Sequence, residues 1–282
     1  MKSNIQAYFV DLDGTFLDQY DDPNYPVSQT NLQMAKKINQ TKNFIISTGR
    51  SNSDFVVDLA KRINSKYLIC QNGAIILDVK KNKILRNNLI DNETVHKIKN
   101  FMQINNLHYT INGDPIIYTN NPDKITLDRP WAKDFKKLPY EKANLNQEIN
   151  RLLAFGLNTI EETNKLSEQI MQMFPNLRTH KVSKGLSLEI TNALSTKGIG
   201  DEFVAKLLNV NLENVWHIGD SGNDISVKEQ NIKLAVMQNA IDSIKKEADL
   251  ITFDYQNAGV AKTIELLEQF YQKGDKNVKY VR

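Results

Sequence analysis

Strands with one wet face alternate apolar and polar residues, and the runs Tyr8-Phe9-Val10, Phe44-Ile45-Ile46-Ser47 and Tyr67-Leu68-Ile69-Cys70 do not. They therefore predict strands buried on both faces. Between the second and third runs, Phe55, Val56, Leu59, Ala60 and Ile63 lie on one helical stripe, with Ser51 or Ser53 available as N-cap. The same grammar returns after residue 187. Ile199, Phe203, Leu207 and Leu208 mark a helix, then Asn214–Ile218, Lys233–Val236 and Leu250–Phe253 read as strands, and Val260, Ile264 and Leu267 as a closing helix. Buried strands separated by amphipathic helices define an α/β fold with a parallel sheet covered on both faces, a doubly wound arrangement.

Residues 80–187 differ in texture. Short strand-like pieces (His108–Ile111, Ile116–Thr119, Leu152–Leu157, Arg178–Val182) alternate with helical stretches near Glu93–Asn105 and Glu161–Phe174. The 282 residues exceed the ~100–200 of a single domain. An α+β insert, 80–187, inside a core made of 1–79 and 188–282 accounts for the excess. The polar stretch 273–282 is expected to fray. Asp128-Arg129-Pro130-Trp131 is the conspicuous aromatic-basic cluster of the insert, read either as a ligand contact or as structural.

Composition removes several function classes. No run approaches the ~18 apolar residues of a membrane span, and the start leads straight into a strand rather than a signal-like segment, so a cytoplasmic protein is expected. One cysteine and four scattered histidines supply neither a disulfide framework nor a zinc module, so any metal must be held by oxygen. A net charge of +3, with lysines spread along the chain, gives no basic patch for nucleic acid.

Ligands of parallel α/β sheets bind at the carboxyl ends of the strands. There the chain carries Asp11-Leu12-Asp13-Gly14-Thr15, Thr48-Gly49-Arg50 and Gly219-Asp220-Ser221-Gly222-Asn223-Asp224. Carboxylates converging from two distant segments repel unless a cation neutralises them, and an all-oxygen set suits Mg²⁺. A carboxylate beside Mg²⁺ is a competent nucleophile toward phosphorus. Asp13, two residues on, can give a proton to a leaving alkoxide and later take one from water. Lys197, opening a helix, can balance transferring phosphoryl charge.

These segments, with Ser47-Thr48-Gly49-Arg50 and Lys197-Gly198, stand in the order of the four motifs of the haloacid dehalogenase (HAD) superfamily, which the chain resembles over nearly its whole length. Asn72-Gly73-Ala74, Ala235-Val236-Met237-Gln238-Asn239-Ala240 and Gly259-Val260-Ala261 resemble the Cof-type branch, subfamily IIB. The resemblance implies a HAD-type core with an inserted C2B-type cap that selects the leaving group. It implies Asp11 as nucleophile, and Asp13 as general acid/base with its backbone carbonyl on the metal. Thr48 and Lys197 would hold the phosphoryl group, aided by the backbone N–H groups of Leu12 and Asp13. Asp220 would ligate Mg²⁺, Asp224 would support the metal directly or through water, and Asn223 would bond the phosphoryl group or its surroundings. Gln238 and Ala258 depart from the pattern, where glycine and an acidic residue are usual, and put only nearby loop geometry in question.

The expected activity is a Mg²⁺-dependent phosphatase acting through an aspartyl-phosphate on a small phosphorylated metabolite, with no nucleic-acid or membrane partner. Mutase-like phosphoryl transfer and a non-catalytic phosphate sensor are the alternatives. Neither a GxxxxGK[ST] nor a GxGxxG phosphate loop is present. Some residues have plainer readings: Thr48 as a helix N-cap, Lys197 as a surface lysine, Cys70 as core, and His217 as a side chain packed beneath the sheet.

Overall fold

The structure is a computed structural model that describes residues 5–19, 26–122 and 133–273. The Asp128–Trp131 cluster and the polar 274–282 fall outside the described residues. The first strands are β1 (Ala7–Val10), β2 (Asn43–Ser47), β3 (Tyr67–Cys70), β4 (Ile75–Asp78) and β5 (Lys83–Asn87), interleaved with helices α1 (Gln29–Thr41) and α2 (Asp54–Arg62). Next come α3 (Asn92–Ile104), β6 (His108–Ile111), β7 (Ile116–Thr119), β8 (Lys136–Pro139), β9 (Arg151–Phe155), α4 (Ile160–Met173), β10 (Leu177–Val182) and β11 (Ser187–Asn192). The chain closes with α5 (Lys197–Leu207), β12 (Val215–Gly219), a 3-10 helix over Asp224–Gln230, β13 (Lys233–Val236), α6 (Asp242–Lys245), β14 (Leu250–Ile251) and α7 (Gly259–Lys273).

Two compact units result, Met1–Arg86 with Thr196–Arg282, and Asn87–Ser195. The expected seams were 79/80 and 187/188. They shift because β5 is hydrogen-bonded at the edge of the first unit's sheet, whereas β11 pairs with β9 and β10 in the second.

In the first unit the strand order is β14-β13-β12-β1-β2-β3-β4-β5. From β14 to β3 every pairing is parallel, and β4 returns antiparallel on β3, so the sheet is mixed at one edge. Successive side chains of a strand face opposite ways. Tyr8 and Val10 join Leu32, Val56, Leu59, Ile264 and Leu267 on the face covered by α1, α2 and α7. Ala7 and Phe9 join Val204, Ala205 and Val227 on the face covered by α5 and the 3-10 helix. The interior strands therefore read as largely apolar runs, β12 being interrupted by His217, and the doubly wound α/β class holds.

The second unit is a six-stranded sheet, β10-β11-β9-β6-β7-β8, mainly antiparallel with β7 and β8 parallel. Ile98 and Met102 of α3 and Leu166 and Ile170 of α4 pack with Tyr109, Leu152, Leu188 and Ile190 of the sheet. Both helices are capped as their sequences direct. Asp91 accepts from the Thr94 N–H, and Thr159 with Glu162 forms a reciprocal capping box. No helix among the described residues is long and apolar enough to cross a membrane.

Candidate active site

The register pairs Val10 with Ile218 on one side and with Ile46 on the other. Parallel pairing puts the carboxyl ends of β1, β2 and β12 side by side, and each strand stops at a polar segment: Asp11, Thr48 and Asp220 follow directly. The loops after β1 and β12 interlock. Gly14 lies at φ +73°, and a Cβ there would meet Asp220 Oδ2 at 2.5 Å. Gly219 leaves room for the Asp224 carboxyl, since its Cβ would lie 2.2 Å from Asp224 Cγ. Thr15 Oγ1 donates to Asp220 Oδ1 (3.2 Å), and Asn239 Nδ2 donates to the Gly14 carbonyl (2.9 Å).

Asp11, Asp220 and Asp224 each present a carboxylate oxygen within 4.8 Å of the others. Lys197 Nζ, fully buried, lies 2.6 Å from Asp11 Oδ1 and 2.7 Å from Asp224 Oδ1. Its plainer reading as a surface lysine is thereby excluded. The helix that carries it starts with Thr196, whose side chain accepts from the Ile199 N–H, so the cap fixes the first turn and aims Lys197 inward.

Asp224 is the most heavily bonded member. Its Oδ1 also faces His217 Nε2 (2.8 Å), and its Oδ2 accepts from the backbone N–H groups of Asp220 (3.0 Å) and Ser221 (2.9 Å). Ser221 Oγ adds a longer contact to Oδ2 (3.4 Å), and together these five contacts use the acceptor capacity of a carboxylate. Asn223 Nδ2 donates to Asn72 Oδ1 (2.9 Å), while its Oδ1 accepts from Ser221 Oγ (2.7 Å). Asn72 sits in the left-handed region at φ 54° next to β3, which gives its motif a structural purpose. Thr48 is buried, and its Oγ1 accepts from the Arg50 N–H (3.1 Å). Leu12 is fully buried, its carbonyl accepting from the Thr15 and Leu17 N–H groups, so its side chain anchors the loop. Asp13 stands apart from the buried triad: its two oxygens take Arg50 Nε (2.7 Å) and Nη2 (2.5 Å), in a half-exposed bidentate pair.

The charges explain one another. Burial pushes the Asp11 carboxyl up to about 7, against the pull of Lys197 and with Asp224 and Asp13 adding to the rise. Burial, then Asp11 and Asp224, push Asp220 up to about 8. Burial would also raise Asp224, but Lys197 and His217 outweigh it and hold that carboxyl well below the ordinary range. Burial opposes the charge of Lys197, yet Asp11 and Asp224 keep its amine more basic than usual. Two carboxylates that resist ionisation beside a third that is ionised make a site to which a divalent cation fits, because the cation supplies the missing positive charge to an all-oxygen donor set.

Several residues of the site had no assigned role in the sequence. Arg50 belongs to a quoted motif but went without one. Asp201 carries no motif signal, although its spacing of one helical turn from Lys197 places both on one face of α5. His217 lies on the α5 side of the sheet, as its strand parity predicts, and its Nδ1 is 2.6 Å from Asp201 Oδ2. Burial works against its charge, but Asp201 and then Asp224 raise its pKa to about 9. Cys70 is a buried thiol in β3, as expected of core. The two departures stay local: the Gln238 N–H donates to the Phe253 carbonyl (2.9 Å), and Ala258 adopts φ 61°.

An open α/β sheet whose adjacent strand ends carry a lysine-paired carboxylate cluster defines a phosphoryl-handling hydrolase core. A sequence model of the haloacid dehalogenase-like hydrolases matches residues 8–264. The chain belongs to that family, in its Cof-type branch. Phosphatase YwpJ of Bacillus subtilis is 24% identical to it over 92% of this chain and 98% of the relative. The 5-amino-6-(5-phospho-D-ribitylamino)uracil phosphatase YwtE of the same organism is 26% identical over 92% and 96%. Among solved structures, that of the HAD subclass IIB sugar phosphatase BT4131 superposes with a TM-score of 0.74 at 18% identity, covering 93% of this chain and 98% of that one.

Proposed function

We propose that this protein is a Mg²⁺-dependent phosphatase that hydrolyses small phosphorylated metabolites through a phosphoryl group carried on Asp11. The observation that carries the reading is the Lys197 amine held 2.6 Å from a buried Asp11 carboxylate. A buried cation beside a nucleophile is what phosphoryl transfer needs, since most of its catalysis is positioning and charge stabilisation. Asp11 attacks phosphorus as the bond to the leaving oxygen breaks, and Asp13 gives that oxygen a proton. Water then attacks the Asp11-bound phosphorus, Asp13 takes its proton, and the bond to Asp11 breaks to release inorganic phosphate. Thr48, Lys197, Asn223 and the backbone N–H of Leu12 and Asp13 hold the phosphoryl oxygens. Asp11, Asp220 and the Asp13 carbonyl would hold the cation, and Asp224, its oxygens already engaged by protein donors, would support it through water. When bound, Mg²⁺ neutralises phosphoryl charge that would repel the nucleophile.

The unit formed by 87–195 is assigned as the cap that selects the leaving group. Sugar phosphates are the first substrate class and cofactor-type monophosphates the second, in keeping with the sugar phosphatase and the ribitylaminouracil phosphatase among its likenesses. The test is phosphate release over a panel of such esters. Asp11→Asn should stay folded and lose turnover to below about a thousandth of wild type. EDTA should abolish activity and Mg²⁺ restore it. Near wild-type turnover in the variant would end the covalent reading.

A further inference from the structure

Beneath the carboxylates runs an unbroken line of buried polar side chains. Ser47 Oγ donates to Asp201 Oδ1 (2.7 Å), Asp201 Oδ2 lies 2.6 Å from His217 Nδ1, and His217 Nε2 lies 2.8 Å from Asp224 Oδ1. Asp224 Oδ1 then meets Lys197 Nζ, which meets Asp11. Asp201, His217, Asp224 and Lys197 are all 0% exposed. We propose that Asp201 and His217 are positioning residues for phosphoryl transfer: a strut beneath the sheet that fixes Asp224 and, through it, holds Lys197 Nζ against Asp11. The proposal rests on the reading of Asp11 as nucleophile.

Both ring nitrogens of His217 are engaged by carboxylates on different elements, so the imidazole is fixed at both ends. Lys197 is a point charge on a flexible stem and follows whichever carboxylates hold it. Its place opposite Asp11 therefore depends on Asp224 staying still. Helix α5 meets the line twice, through Lys197 and, one turn later, through Asp201. A rotation of α5 that withdrew the amine would also break the contact with His217. Stability alone does not account for a buried ion pair, because replacing such pairs by apolar residues of similar volume is often neutral or stabilising. What charged groups add here is a fixed geometry.

The Asp201→Leu/His217→Leu double variant removes both charges together and fills the space, so no lone buried charge is left. Asp201→Asn keeps the shape while weakening one joint. Both are measured for thermal unfolding, for kcat and KM on an aryl phosphate, and by crystallography. The expected result is a folded protein with kcat lowered about 10- to 100-fold, as small misplacements near a reacting centre produce. KM should stay within about threefold, the pattern of an interaction made in the transition state. Lys197 Nζ should move out of hydrogen-bond reach of Asp11. A folded double variant with kcat within about threefold of wild type, or with KM alone changed, overturns the strut. If the double variant does not fold, Asp201→Asn decides by the same thresholds; failure of both to fold makes the pair a folding element and overturns it too. A wild-type protein that neither releases phosphate nor carries it on Asp11 refutes the functional reading instead, and the Lys197–Asp11 distance in the variants still judges the strut.

Discussion

Arg50 pairs with Asp13, the proposed acid/base, at the surface of the site. Its bidentate pair with Asp13 has side chains 40% and 46% exposed, so water screens most of its worth. Arg50→Ala should change stability by no more than about 1 kcal/mol in urea unfolding. On the proposed reading of Asp13 as acid/base, its carboxylate would lose its fixed direction without the guanidinium. Turnover of alkyl phosphates, whose leaving oxygens need a proton, should fall more than that of aryl phosphates with good leaving groups; an equal fall in both would remove Arg50 from this role. The sequence made the cluster of Asp11, Asp220 and Lys197 legible because each follows a buried strand or opens a helix within a motif. Asp201 was not legible: an aspartate in the second turn of a helix looks like any solvated position, and only the fold shows it facing His217. Asp224 was legible as part of the site, but not that its oxygens would be shared among a lysine, a histidine and two backbone amides.

At the scale of elements, the loops after β1 and β12 behave as one piece. Gly14→Ala forces a side chain into the left-handed region and against Asp220, so it should destabilise the protein by about 1–3 kcal/mol. Because the displaced group is a candidate cation ligand, the Mg²⁺ concentration for half activity should also rise. An alanine variant with unaltered metal dependence would separate the two loops. The parallel strands were readable from their largely apolar runs, and α3 and α4 from their stripes. The return strand β4 and the edge strand β5 were not, because β4 is another fully buried run following β3 across a tight turn and β5 is largely exposed. β5 is the last strand before the second unit, and β11 is the last strand within it.

On the scale of the whole molecule, the buried charges tie stability to pH. His217, raised from 6.5 to about 9, adds stability that is complete below pH 6.5 and lost as pH rises through 9. Asp11 and Asp220, raised from 3.8 to about 7 and about 8, cost stability that builds as pH climbs from 3.8 to those values and is complete above them. All three act in one direction. In EDTA the urea midpoint should fall between pH 6.5 and 9, and Mg²⁺ should recover more of it at the higher pH, where binding no longer has to displace protons. A midpoint that rises with pH in EDTA would contradict these shifts. The strand order carries a separate consequence, for synthesis on the ribosome. β1 is flanked by β2 and by β12, whose first residue, Val215, emerges only after the whole of the second unit has been made. Until then the nascent chain carries β1 with one edge of unpaired backbone N–H and C=O groups, a template for pairing with another chain. A truncated chain ending at Arg86 should therefore aggregate where the full-length protein does not, which light scattering of the two at equal concentration would reveal.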